Sequence, residues 1–311
     1  MSVVTAQHFA PNNDKKAVSV PMKSPRPPRS GPRAARPADD KPDAPRGRRA
    51  ARVAAPPRKA KEAEPEHEDG PQRIAKLLAR AGVGSRRDVE RMVEEGRIAL
   101  NGQIVVHPAP LLTSLEGLTV DGNPVAKPVS TRLYRFHKPA GCITAARDPK
   151  GRKTIYDLLP KGLPRVMPVG RLDYNTEGLL LLTNDGEFKR QLELPASGVE
   201  RTYRARAFGE ISQEQLEELA MGIEIEGVRY GKIDANLERR TGRNQWIEMT
   251  LTEGKNREVR KVLEHFGLQV SRLIRTRYGE FSLEGLGMGD VDVVPRDDLF
   301  KFRRHLGSGK P

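Results

Sequence analysis

PVGRLDYNTEGLLLLTNDG (residues 168–186) is the stretch on which the fold reading of this 311-residue chain turns. Its first half, Pro168 to Glu177, is polar and turn-like. Its second half holds Leu179, Leu180, Leu181 and Leu182 between Gly178 and the turn Asn184-Asp185-Gly186. Periodicity does not separate strand from helix in so short an apolar run, but its length and its flanks favour a buried strand. Working outward, Leu133-Tyr-Arg-Phe alternates before Lys138-Pro-Ala-Gly141, which reads as a strand entering a turn. Tyr203 to Phe208 and Trp246 to Leu251 alternate as well. Gln269 to Tyr278 reads as a strand with a basic face of Arg272, Arg275 and Arg277. Gln191, Glu193, Pro195 and Ser197 read as a loop. Helical patterns are few: Gln213 to Met221, and the stripe Val259, Val262, Leu263, Phe266 ended by Gly267. Strands dominate without strand–helix alternation, so residues 131–306 are expected to form an α+β domain on a mainly antiparallel sheet.

A composition shift at Val125–Thr131, with Pro124, Pro128 and Ser130, marks a linker to a smaller module at 71–125. There Ile74, Leu77, Leu78 and Ala81 make a helical apolar stripe with Arg73, Lys76 and Arg80 on the other side. Gly82 and Gly84 end that helix, and Ser85 can cap a second one, in which Val89, Met92 and Val93 face inward and Arg86, Arg87 and Arg91 outward. Asn101-Gly102 between two short apolar runs signals a hairpin. Charges of one sign on a helix face are usually a solvated surface. Six on two short helices also suit phosphate contact.

Residues 1–70 hold 12 of the 25 prolines and a net charge of +6, with one aromatic residue, Phe9. Such a segment is expected to be disordered, because it cannot bury enough apolar surface to offset chain entropy. It reads as a solubilising tail or as a basic arm with non-specific RNA affinity. Residues 307–311 form a short C-terminal tail. The whole chain carries +14, which points first to nucleic acid. No apolar run approaches the ~20 residues of a membrane helix. Cys142 is the single cysteine, and no secretory signal is visible, so a cytoplasmic setting is expected.

The chemistry is constrained by what is missing. The six histidines are scattered, and with one cysteine no metal site has credible ligand spacing. Neither a phosphate-loop nor a dinucleotide glycine fingerprint is present. Chemistry without a cofactor must then use a carboxylate, a hydroxyl or a basic side chain. Asp173 and Glu177, in the polar half of 168–186, are the candidates. The plain structural alternative is an Asx turn at Asp173 and an ordinary ion pair for Arg171.

Two resemblances sharpen this. RIAKLLARAGVGSRRDVERMVEEGRIALNGQIV (73–105) resembles an S4 RNA-binding domain. PVGRLDYNTEGLLLLTNDG resembles the active-site motif of the RsuA/RluB/RluE/RluF group of pseudouridine synthases. FHKPAGCIT (136–144), VERTYRAR (199–206) and EGKNREVRKV (253–262) match further blocks of that family in order, nearest to its RluB branch. The resemblance implies an rRNA pseudouridine synthase, a monomer without cofactor or metal, acting on 23S rRNA near the peptidyl-transferase centre. It implies Asp173 as catalytic carboxylate, Tyr203 as active-site tyrosine and Arg260 as counter-charge to Asp173. Arg171 would fill the gap left by a flipped base or clamp its phosphate. Ser85, Arg86, Arg87, Arg73 and Lys76 would contact RNA from the S4 domain, and Lys138, Lys255, Arg257 and Arg272 from the catalytic one. A non-catalytic S4-type protein that binds rRNA or assists ribosome assembly is the alternative.

Overall fold

The computed structural model describes residues 70–108 and 110–307; the tail expected at 1–70 lies outside it apart from Gly70, as do residues 308–311. The chain opens with β1 (Gln72–Arg73), α1 (Ile74–Arg80) and α2 (Arg86–Glu94). Ser85 caps α2 reciprocally: its hydroxyl accepts from the Asp88 amide at 3.1 Å, and the Asp88 carboxylate accepts from the Ser85 amide at 2.9 Å. Next come β2 (Ile98–Leu100) and β3 (Gln103–Ile104), joined by Asn101 and Gly102, both at positive φ as the tight hairpin turn requires. β4 (Leu111–Leu112) pairs with β1, while β5 (Leu118–Val120) and β6 (Asn123–Pro124) complete a four-stranded sheet in the order β3-β2-β5-β6. Ile74, Leu78, Val89, Val93, Ile98 and Leu118 form the core of this unit.

The second unit is built on β7 (Leu133–Lys138), β8 (Met167–Pro168), β9 (Thr176–Thr183), β10 (Arg201–Phe208), β13 (Ile233–Thr241), β14 (Asn244–Leu251), β15 (Gln269–Tyr278), β16 (Phe281–Ser282) and β17 (Val291–Val293). They make one nine-stranded sheet among the described residues, in the order β13-β14-β10-β15-β9-β7-β17, with β16 added to β15 and β8 to β9. A separate small hairpin joins β11 (Ile223–Ile225) to β12 (Val228–Tyr230). Every neighbour pair is antiparallel except β9 with β15, which run parallel. The fold is thus α+β on a mainly antiparallel mixed sheet, as expected from the alternating patterns.

All eight residues of β9 are buried. A strand covered on both faces reads as continuous apolar sequence, which explains the four leucines. Leu179 and Leu181 face one core with α3 (Gly186–Glu193) and α6 (Arg296–Gly307). Leu180 and Leu182 face another core, with Cys142, Val166 and Leu172. On the far half of the sheet, α4 (Gln213–Glu217) and α5 (Glu258–His265) cover one face only.

Two expectations change. Gln191 and Glu193 belong to α3, not to a loop: Asp185 caps that helix by accepting from the Glu187 and Phe188 amides, and Phe188 and Leu192, four apart, bury against α6. The basic face expected on β15 is divided as well. Arg272 and Arg275 are three residues apart, so they lie on opposite faces; Arg272 is exposed and Arg275 is buried. Lys76 and Arg80 of α1 reach the start of α3, at 3.1 Å from Glu187 and 3.8 Å from Asp185, so these two cations join the units to each other.

Candidate active site

The loop Gly170–Asn175 between β8 and β9 carries Asp173 at one wall of a cleft of ≈ 980 Å³. Five consecutive backbone carbonyls of this loop and the following residue are tied down. The Thr144 hydroxyl donates to Leu172 O at 2.8 Å. The Lys138 ammonium donates to Asp173 O at 3.1 Å and Thr176 O at 2.9 Å, and to Pro139 O at 3.0 Å. The Gly141 amide donates to Tyr174 O at 2.8 Å. Arg260 Nη2 donates to Asn175 O at 3.4 Å. At the loop's start the Gly170 amide donates to Glu193 Oε1 at 2.6 Å. The FHKPAGCIT block supplies three of these clamps, Lys138, Gly141 and Thr144.

This geometry corrects the expectation for Lys138. The side chain is 0% exposed, and all three ammonium protons are spent on carbonyls, so it cannot meet RNA. Burial pushes its pKa down, while Cys142, Asp173 and Glu177 act the other way. A buried ammonium is tolerable only when its donors are satisfied, as they are here.

Arg260 holds backbone in addition to facing Asp173 electrostatically. It is buried, and its Nη1 donates to Val270 O at 3.0 Å while Nη2 holds Asn175 O. Burial and the neighbouring Arg257 disfavour its charged form; Asp173 favours it. Among the described residues the cation nearest the Asp173 carboxylate is Arg257, with Nη1 at 3.7 Å from Oδ2. Arg257 holds the left-handed position φ 53 at the N-cap of α5, a conformation that costs a non-glycine residue about 1–2 kcal/mol. Asp173 itself is 39% exposed, so the carboxylate faces water rather than a dry pocket.

Tyr203 sits on β10 across the same cleft, half-buried between two apolar cores. The Arg275 guanidinium lies 6.0 Å from its ring centroid and 5.1 Å from that of Tyr278. Arg275 Nε donates to Leu179 O at 2.8 Å, while its Nη2 and Arg260 Nε are buried donors without a partner among the described residues. A buried donor left unmade costs about 1–3 kcal/mol, recoverable when a ligand accepts it, and Arg275 lines the cleft. Arg171 and Lys255 also line the cleft, the latter paired with Glu253.

Glu177 and Arg272 do not share the cleft. Glu177 is inside β9 and takes two bonds from Arg272, at 2.9 and 2.8 Å, which hold its carboxyl below the usual range. In the first unit Ser85 is a helix cap, and Arg86, Arg87 and Arg73 are exposed. Sequence reasoning assigned no role in the loop's geometry to Thr144 or Arg275; the period-two register of β15 against β9 is the signal that separates Arg275 from Arg272. Among the described residues no group of three or more His, Cys, Asp or Glu side chains is placed to hold a metal ion, and no helix is long and apolar enough to cross a membrane.

A model described as RNA pseudouridylate synthase matches residues 132–265, and the S4 domain model matches 72–110. The chain is 45% identical over 225 residues to an RNA pseudouridine synthase of Rickettsia bellii, covering 72% of this chain and 97% of that one. It is 40% identical over 225 residues to ribosomal large subunit pseudouridine synthase B of Yersinia pestis, covering 70% and 71%. A solved pseudouridylate synthase superposes with a TM-score of 0.52 at 24% identity, over 74% of this chain and 98% of that one, which concerns the fold. An S4 unit joined to this sheet and cleft defines an RNA-directed enzyme that isomerises a nucleoside. The chain belongs to the RNA pseudouridine synthases, in the RsuA/RluB family, and acts on RNA. The non-catalytic alternative is thereby set aside.

Proposed function

We propose that this synthase modifies a uridine of 23S rRNA near the peptidyl-transferase centre, as a cytoplasmic monomer, with Asp173 as the reacting carboxylate. The observation that carries the site assignment is the placement of Asp173 on a loop clamped carbonyl by carbonyl, in one cleft with Tyr203 and Arg257. The choice of substrate is supported by the name of the Yersinia relative and by the exposed Arg86 and Arg87 of the S4 unit.

In this reading the target nucleotide leaves the stack, at a cost of a few kcal/mol, and enters the cleft. The N1–C1′ bond breaks, the uracil turns, and C5 bonds to C1′. The C5 proton departs and N1 gains one, so atoms balance without a co-reactant. Asp173 attacks C1′ as a nucleophile or removes the C2′ proton as a base. A C2′ deuterium effect on turnover distinguishes the two routes. Arg257 neutralises the carboxylate, Arg260 fixes the loop, and Tyr203 stacks on the uracil or carries the C5 proton.

The test is pseudouridine mapping of rRNA from cells with and without this gene. One 23S site should vanish, and return with the wild-type chain but not with Asp173→Asn. Loss of a site in another RNA instead would refute the substrate. Appreciable turnover by Asp173→Asn would refute the site.

A further inference from the structure

The face of the sheet opposite the catalytic cleft is uncovered along β13, β14, β10 and β15. Ala205, Ala207, Ile247 and Met249 of these strands point into the core under α5, so their neighbours in sequence point the other way. The register sets Arg239 opposite Trp246, Trp246 opposite Arg206, and Arg206 opposite Arg272. One row across four strands therefore reads Arg, Trp, Arg, Arg, with neighbouring strands about 4.8 Å apart. A cavity of ≈ 280 Å³ opens on this row, lined by Arg206, Arg239, Thr241, Asn244, Trp246 and Arg272.

The charges on this face are unevenly satisfied. Arg272 is bound by Glu177, and Arg204, 5.2 Å above the Trp246 ring, is bound by Glu238. Glu248 lies across from Arg204. Arg206 and Arg239 are exposed and have no carboxylate partner among the described residues. Arg206 stands directly opposite Arg272, whose charge Glu177 balances, so the unbalanced charge of the row sits on Arg206 and Arg239. A row with two unbalanced cations beside a partly buried indole that lines an open cavity fits a ligand with negative charge and a flat apolar face.

We propose that this face is a second RNA-binding surface, which takes an unpaired strand with a base against Trp246 and phosphates on Arg206 and Arg239. Guanidinium and indole planes stack on any base, and phosphate pairing adds affinity without sequence preference. An acidic peptide would satisfy the cations but leave the indole unused. The surface lies on the other side of the sheet from Tyr203, so it holds flanking RNA rather than the reacting nucleotide. It rests on the chain's RNA specificity and is independent of which uridine is modified.

Trp246 is the only tryptophan of the chain, so its emission reports this surface alone. The experiment titrates the full-length protein with a fluorescein-free 12-nucleotide oligouridylate and follows tryptophan fluorescence, without turnover. Saturable quenching is expected, with at least tenfold weaker midpoint in Arg206→Ala/Arg239→Ala. The slope of log affinity against log salt should fall by about 1.4 in that variant, for two phosphates released at ~0.7 each. Arg206→Lys/Arg239→Lys should recover most of the loss and guards against misfolding. Unchanged emission while a labelled copy of the oligonucleotide is bound by anisotropy would overturn the proposal. Equal quenching by oligoglutamate of the same charge would overturn it too, in favour of an acidic protein partner.

Discussion

Replacing Lys138 by methionine tests whether the site is organised from beneath. The substitution keeps an unbranched chain of similar reach and removes three N–H donors. Asp173 O retains a backbone donor, the Thr176 amide at 3.1 Å, while Pro139 O keeps only the weak Cys142 thiol donor at 3.4 Å, so the loss of the ammonium falls on Pro139 O and Thr176 O. At about 1–3 kcal/mol for each carbonyl left without it, the loss is roughly 2–6 kcal/mol. Part is offset because a buried ammonium no longer has to be desolvated. A net destabilisation of about 2–4 kcal/mol is expected, read from urea unfolding. The larger effect should be on rate. With the Asp173–Thr176 turn released, a displacement near 1 Å is enough to lower kcat about 100-fold. RNA affinity should stay within about twofold, since the side chain is fully buried. Tritium release from C5-labelled uridine in single turnover gives the rate, and filter binding gives affinity. Normal kcat with a tenfold loss of affinity and a shallower salt slope would refute the reasoning, because it would place Lys138 against RNA.

Other perturbations follow from the same geometry. Gly178→Ala puts a Cβ 2.2 Å from Arg275 O at a φ of +106°, so overpacking and backbone strain together should cost about 2–6 kcal/mol; a melting temperature within a degree or two of wild type would contradict this. Arg257→Gly should be about 1–2 kcal/mol more stable than Arg257→Ala, since glycine holds the left-handed N-cap without strain, while both lose turnover equally with the charge beside Asp173. Glu177 has its pKa lowered by Arg272, so its contribution to stability is complete above the ordinary glutamate value near ~4.3 and disappears as pH falls through the lower native value. Glu177→Gln should flatten the acid side of a plot of melting temperature against pH, below about pH 4.3 and nowhere above it.

The elements that sequence reading placed well are those in which one physical signal dominates. The β9 leucines, the Asn101-Gly102 hairpin and the Ser85 cap each follow from local chemistry. α3 does not show in the local sequence because Gly186 at its first position and Pro195 beyond its end look like loop residues, whereas Phe188 and Leu192 only show their purpose once α6 is packed on them. The candidate site was legible as a set of blocks but not as a division of labour. Charge and motif membership made Lys138, Arg260 and Arg257 look alike. Depth separates them: Lys138 is sealed under the loop, Arg260 is bonded to carbonyls at its edge, and Arg257 alone reaches the carboxylate. Depth is a property of strand register and of residues far apart in sequence, so no local pattern carries it.

The energy of the site is distributed in a way that suits a substrate that must be extruded from RNA. Backbone geometry is secured before RNA arrives, by charged donors on neutral carbonyls, bonds that lose little when water is present because they are already buried. The Asp173–Arg257 pair is left open, at 3.7 Å and in contact with solvent, where such a pair is worth no more than about 1 kcal/mol. On the proposed reading, a nucleotide that fills the cleft displaces that water, and the same two charges then interact in a lower dielectric with a severalfold stronger attraction. Rigid backbone with a loosely held charge lets the carboxylate be solvated cheaply in the free protein, and on the proposed reading it pairs strongly only in the complex. The strained N-cap of Arg257 fits this division, since it fixes the cation's backbone while its guanidinium is held only by two long, solvent-exposed pairs, with Asp173 at 3.7 Å and Glu264 at 3.9 Å. A site that instead locked the ion pair dry in advance would carry the full desolvation cost of two charges in every unbound molecule.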